Sequence, residues 1–159
     1  TGDRIRDRGR EFGTTTGRPR RCGWFDAVAA RYAATVSGAT DLAVLHLDTL
    51  TGFERVGICT SYRLQGRRLA TPPSHAAILH AVEPEFEFLP GWTGDLSAVR
   101  RFDELPVNAR NYVLRIESLL GVRSGILGVG PERSQTIVRP ESGAIQSIVD
   151  RAGGLQVVQ

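Results

Sequence analysis

The sequence predicts an α/β fold, and three observations carry that expectation. Two amphipathic segments with helical spacing each run into an apolar stretch of strand length. Glycines and prolines punctuate the ends of these segments. No repeat, low-complexity tract or flexible linker divides the chain, so residues 1–159 read as a single unit. Helix leading into strand, twice over, is the grammar of α/β domains.

The opening TGDRIRDRGRE is charged throughout and lacks the apolar core of a signal peptide. Phe25, Val28, Tyr32 and Val36 recur at three- and four-residue spacing and Gly38 closes the segment, which predicts an amphipathic helix over 25–37. DLAVLHLD, residues 41–48, is nearly continuous in apolar side chains and reads as a strand covered on both faces. VGICTSYRL (56–64) and EFEFL (85–89) alternate as half-exposed strands do, with Glu83, Glu85 and Glu87 on the wet face. Val107, Tyr112, Ile116, Leu119 and Leu120 mark a second helix over 106–120, opened by Pro106 and stopped by Gly121. SGILGVGP (124–131) is a short apolar strand that runs out into glycines and a proline.

Composition narrows the function. A chain of 159 residues and 17.3 kDa is one ordinary domain. Hydrophobic content of 41% and charge of 23% are globular values, and no run approaches the roughly 20 apolar residues that span a bilayer, so a soluble, cytoplasmic protein is expected. Cys22 and Cys59 form neither a Cys-x-x-Cys pair nor a Cys/His cluster and read as reduced thiols. His75 and His80 lack acidic or cysteine partners at ligand spacing. The 20 basic residues are all Arg, and the net charge of +3 suits phosphorylated ligands or nucleic acid.

Three stretches carry chemistry. In GTTTGRPRR (13–21), Gly13 and Gly17 free the backbone to turn its amides toward a ligand, and Thr14, Thr15 and Thr16 add hydroxyl donors. Arg18, Arg20 and Arg21 offer planar forks that match carboxylate or phosphate, while Pro19 stiffens the segment. Such a loop suits a dianion; a solvated turn or a nucleic-acid arm fits the composition too. His46-Leu47-Asp48 ends the apolar run: Asp48 offers a carboxylate to the N1 hydrogen and 2-amino group of guanine, or simply caps a turn. Gly128, Val129 and Gly130 bare a backbone that can lie against a flat base, or form a plain loop. In α/β sheets ligands gather beyond the carboxyl ends of strands, where both of these segments fall.

EFGTTTGRPRRCGWFD, LHLDTLTGF, ICTSYRL, LPGW, LPVNARNYVLRIESLLGV and GVGPERSQTI, in this order and spacing, resemble the C-terminal portion of adenylosuccinate synthetase from about Gly2 to Ile137. The resemblance implies the C-terminal part of a mixed, largely parallel β-sheet flanked by helices, in a P-loop-like fold. It implies a ligase of AMP biosynthesis that joins L-aspartate to IMP with GTP and Mg²⁺, giving adenylosuccinate, GDP and phosphate. It further implies a cytoplasmic homodimer with no membrane or nucleic-acid partner. On this resemblance Thr14, Thr15, Thr16, Gly17, Arg18, Pro19 and Arg20 form the loop that closes on aspartate. Arg18 reaches IMP as well, and Arg20 contributes to GTP. His46, Leu47 and Asp48 match the guanine-recognition tripeptide, and Gly128, Val129 and Gly130 match the second guanine-binding segment.

Two positions depart from the pattern: His46 stands where well-known members have Lys, and Gly128 where they often have Ser. The phosphate loop, catalytic Asp and His, and Mg²⁺ ligands belong to the family's N-terminal part and have no counterpart here. No catalytic residue or metal ligand is therefore expected in this chain, which is expected to be inactive alone. The other reading is a small Arg-rich nucleic-acid-binding module, whose binding weakens steeply with salt.

Overall fold

The computed structural model describes residues 1–139. The tail that follows, from residue 140, lies outside the described residues. In chain order the elements are α1 (Gly2–Gly9), β1 (Phe25–Asp26), α2 (Ala27–Ser37), β2 (Asp41–Val44), β3 (Arg55–Leu64), β4 (Arg67–Leu69), α3 (Ala76–Ala81), β5 (Glu83–Pro90), α4 (Val107–Leu120), β6 (Arg123–Gly128) and β7 (Thr136–Val138). Single 3₁₀ turns at Asp48–Leu50 and Phe102–Glu104 complete them.

Two mixed sheets share one core. In the first, β3 lies parallel to β1 and antiparallel to both β4 and β5. In the second, β6 is central, with β2 parallel on one side and β7 antiparallel on the other. Asp41 pairs with Arg123 and Val44 with Leu127, so β2 and β6 run side by side and end at the same edge. The α/β class expected from the sequence holds, and so do both helix-to-strand steps, α2 into β2 and α4 into β6.

Helix α4 is the spine. Ala109, Tyr112, Val113, Ile116 and Leu120 recur at helical spacing and are buried against Val56 and Ile58 of the first sheet and Leu127 and Ile137 of the second. Gly121 ends it at φ 70°, a left-handed conformation that favours glycine. At its last turns Glu117 accepts from the backbone N–H of Ser124 (2.8 Å) and pairs with the buried Arg139, which ties β6 and β7 to the helix.

Helix α2 departs from its expected boundary and face. Phe25 and Asp26 pair with β3 as a short strand, and the helix starts at Ala27. Tyr32 and Val36 are exposed, whereas Ala27, Val28 and Ala34 are buried. Small alanines let the helix approach the sheet closely; of the expected stripe Val28 is buried and Phe25 packs against the core, whereas Tyr32 and Val36 point outward. Asp26 Oδ1 caps α2 by accepting from the N–H groups of Val28 and Ala29 (both 3.0 Å), and its Oδ2 accepts from the buried Tyr62 hydroxyl. Burial, followed by this bond, pushes the Tyr62 phenol above its usual range. Tyr62→Phe is expected to lower the stability of the chain by about 1–2 kcal/mol, because it strips a carboxylate oxygen of its donor. The shift in the urea midpoint measures this; an unmoved midpoint would discount the bond.

Strand β5 inverts its expected faces. Phe86 (42%) and Phe88 (44%) are the exposed side chains, and Glu85 and Glu87 are half-buried. Glu87 takes two hydrogen bonds from Arg115 of α4, from Nε at 3.1 Å and Nη2 at 2.7 Å. Glu85 accepts from Arg63 Nε (2.9 Å) and the Ser61 hydroxyl; the hydroxyl foremost, then Arg63, holds its carboxyl below the usual range. Ion pairing therefore turns the glutamates inward, where solvation alone would have left them in water.

Candidate functional site

The run 41–48 stops pairing at Val44, and the reason is local. His46 adopts φ 63°, left-handed and uncommon for a residue with a β-carbon, so the chain breaks from the strand and Asp48 opens a 3₁₀ turn. Leu45 and His46 are consequently exposed, not covered on both faces. Leu47 points inward and is buried, and its N–H donates to the carbonyl of Gly128 (3.1 Å). The two segments singled out as base-binding candidates, 46–48 and 128–130, are thus hydrogen-bonded neighbours beyond the ends of two parallel strands.

The polar groups of this edge are incompletely used. Asp48 Oδ1 is buried and has no hydrogen-bond partner within the described residues. Buried carboxylate oxygens are nearly always paired, so this atom is an acceptor lacking its donor. Beside it the 128–135 loop is self-braced: Val129 N–H donates to the Gln135 carbonyl, and Glu132 N–H to Gln135 Oε1, each at 2.9 Å. A β-carbon at Gly130 would run into that Gln135 amide, and one at Gly128 would lie 3.0 Å from Leu45 Cδ2. A side chain at either position would have to displace a neighbour, the Gln135 amide at Gly130 and the exposed Leu45 at Gly128. Gln135 escaped the sequence analysis because nothing in its spacing signals that its side chain folds back on its own loop.

The Thr/Arg loop is a narrow hairpin. Gly13 N–H donates to the Arg18 carbonyl (2.8 Å), Arg20 N–H donates to the Glu11 carbonyl (3.0 Å), and Phe12 bridges Pro19. Gly17 turns the tip at φ 63°, and Thr16 Oγ1 accepts from the Arg18 N–H (3.3 Å). Thr14, Thr15, Thr16 and Arg18 are exposed, and among the described residues the Arg18 guanidinium makes no hydrogen bond, ion pair or ring contact.

One carboxylate joins the hairpin to the strand edge. Glu11 Oε2 accepts from Arg20 Nη1 at 3.0 Å, while Glu11 Oε1 lies 3.4 Å from His46 Nε2. Helix α1, which the charged sequence concealed, sets this up. Arg4 lays its guanidinium 4.0 Å from the centre of the Phe53 ring and donates to the Gly52 carbonyl (2.8 Å), anchoring α1 on the turn after Asp48. The Glu11 N–H then bonds back to the Arg6 carbonyl (2.9 Å), fixing where the hairpin leaves the helix. Arg18 and Arg20, His46 to Asp48, and Gly128 to Gly130 accordingly belong to one region of the molecule.

Other candidates fall away from it. His75 caps α3 by accepting from the Ala77 N–H (3.2 Å), and both cysteines are free. A separate open cleft of about 340 Å³, lined by Phe53, Trp92, Pro106 and Asn108, contains none of the predicted residues. Among the described residues no group of three His, Cys, Asp or Glu side chains is placed to hold a metal ion. No helix is long and apolar enough to cross a membrane among them either.

Comparisons with known proteins agree in direction. The adenylosuccinate synthetase family model matches residues 1–137. The adenylosuccinate synthetase of Geobacillus kaustophilus is 55% identical over 137 residues, 86% of this chain and 32% of that protein. That of Mycobacterium avium is 53% identical over 138 residues, 87% of this chain and 32% of that protein. The structure of fully ligated adenylosuccinate synthetase from Plasmodium falciparum superposes with a TM-score of 0.83 at 37% identity, covering 87% of this chain and 34% of that one. The chain thus spans about a third of the length of the relatives it matches. With the match running from α1 through β7 and the identity above half, this chain belongs to the adenylosuccinate synthetase family.

Proposed function

We propose that residues 1–159 act as the C-terminal portion of an adenylosuccinate synthetase, supplying the aspartate loop and the guanine pocket of a GTP-dependent ligase that joins L-aspartate to IMP. One observation carries the assignment: parallel pairing of β2 and β6 sets Asp48, with its partnerless buried oxygen, beside the glycine-flanked backbone of 128–130. A carboxylate acceptor next to a bare backbone suits the Watson–Crick edge and flat face of guanine. Asp48 accepts from N1–H and the 2-amino group, which adenine does not present together. His46 lies at the rim of that base.

The hairpin supplies the second subsite. Arg18 and Arg20 present guanidinium forks to the carboxylates of L-aspartate, and Thr14, Thr15 and Thr16 add hydroxyl and amide donors. Arg18 reaches toward IMP as well, so a single side chain orients the amine donor against the acceptor purine. Closure of the hairpin excludes water from the reacting groups. These residues bind, orient and neutralise charge; phosphate activation, the proton transfers and the Mg²⁺ site are assigned to the remaining two thirds of a full-length enzyme acting as a cytoplasmic homodimer. The nucleic-acid alternative loses ground because several of the front arginines are engaged internally. Arg4 sits on Phe53, Arg6 pairs with Asp3 and Asp7, and Arg20 pairs with Glu11.

Adenylosuccinate formation from IMP, L-aspartate and GTP, followed by ultraviolet absorbance, tests the proposal. Turnover is expected from the complete enzyme and none from the 159-residue chain alone. A chain that ignores GTP but binds an oligonucleotide with steep salt dependence would overturn it.

A further inference from the structure

We propose that Glu11 is a positioning residue that couples occupancy of the two subsites, making L-aspartate and GTP bind cooperatively. The inference rests on the assignment above and deepens it. Among the described residues Glu11 is set against both segments, with Arg20 Nη1 3.0 Å from Oε2 and His46 Nε2 3.4 Å from Oε1. Its side chain is about three-quarters covered, whereas the Arg20 and His46 side chains are more than half exposed. The backbone on either side is pinned, by the Glu11 N–H to the Arg6 carbonyl and the Arg20 N–H to the Glu11 carbonyl. Glu11 is therefore a fixed carboxylate set between two movable side chains, hydrogen-bonded to Arg20 and close to His46.

Sharing makes the sites compete for that anion. With the aspartate subsite empty, Arg20 holds Oε2 and His46 has only the other oxygen at a longer distance. When the carboxylates of L-aspartate draw Arg20 off, the whole Glu11 carboxylate faces His46 and holds the imidazole in one orientation beside the guanine. The nucleotide then meets a pre-ordered side chain, so ordering that GTP would otherwise have to impose has already occurred. By linkage, GTP must favour L-aspartate by the same factor.

The test is the affinity of the complete enzyme for GTP, measured calorimetrically with IMP present, in the absence and presence of saturating L-aspartate. L-Aspartate is expected to tighten GTP by about 5- to 10-fold, within the usual range of coupling between sites. Glu11→Gln keeps the shape and the acceptor for Arg20 but removes the charge, and is expected to bring that ratio to within about twofold of unity. His46→Ala, at an exposed side chain, is expected to abolish the coupling equally, and the double variant to lose nothing further. A merely structural Glu11 would weaken both ligands and leave the ratio standing. A ratio of one in the unaltered enzyme, or an unchanged ratio in Glu11→Gln, would overturn the inference while leaving adenylosuccinate synthesis intact; absence of that synthesis would sink the underlying assignment instead.

Discussion

Asp48→Asn in the complete enzyme is expected to cut kcat/KM for GTP about a thousand-fold and to admit xanthosine triphosphate in its place. The buried Oδ1 of Asp48 has no partner among the described residues, which leaves its hydrogen-bonding capacity open to a ligand. Guanine presents two donors, N1–H and the 2-amino group, and an ionised carboxylate satisfies both. An asparagine offers one acceptor and one amide donor, and the amide would face the 2-amino group donor to donor. Sites built to hydrogen-bond a substrate group reject the mismatched analogue by about 10⁴–10⁵, and one lost charge-assisted bond with a repulsive contact accounts for a large part of that. Xanthine carries an oxygen at position 2, which the asparagine amide meets as a donor. Because Asp48 Oδ1 has no hydrogen-bond partner among the described residues, the thermal midpoint should hardly move. Initial rates with each nucleotide, with the thermal midpoint as control, decide it; full GTP activity in the variant would remove Asp48 from the pocket.

Arg18→Leu is expected to raise the KM for L-aspartate by about 10²- to 10³-fold, while the KM for GTP changes little. Arg18 is exposed, and its guanidinium makes no hydrogen bond, ion pair or ring contact among the described residues, so it contributes little to the fold. Its neighbour Arg20 is already paired with Glu11. Arg18, without an ion pair among the described residues, is thus able to meet an incoming dianion without first giving up a partner, and Gly17 at φ 63° turns the tip that carries it. Truncating one side of a charge pair that becomes desolvated on binding typically costs about 2–5 kcal/mol, which is the source of the factor. Saturation curves for each substrate check it. An unchanged dependence on L-aspartate would detach the hairpin from that substrate.

How much of this was legible in the sequence depends on whether a residue's role is set locally. Helix α4 was legible because its buried face recurs at helical spacing and Pro106 and Gly121 flank it. Strands β3 and β6 were legible from their apolar runs, and the ends of β2 and β6 stood out for their glycines and charges. Helix α1 was not, since only Ile5 is buried and its anchor is an arginine on an aromatic ring 49 residues away in the chain. The faces of β5 were misjudged for a related reason: Arg115, remote in sequence, draws Glu87 inward. Asp48, His46 and the arginines were recognisable as residue types. Glu11 was not, because its importance lies in touching two of them at once.

The most direct measurement is a crystal structure of the complete enzyme with a non-hydrolysable GTP analogue and L-aspartate bound. The account predicts guanine N1 at about 2.8–3.0 Å from Asp48 Oδ1, the base against the 128–130 backbone, and a carboxylate of L-aspartate on Arg18. A guanine seated elsewhere, with Asp48 still lacking a donor, would contradict it.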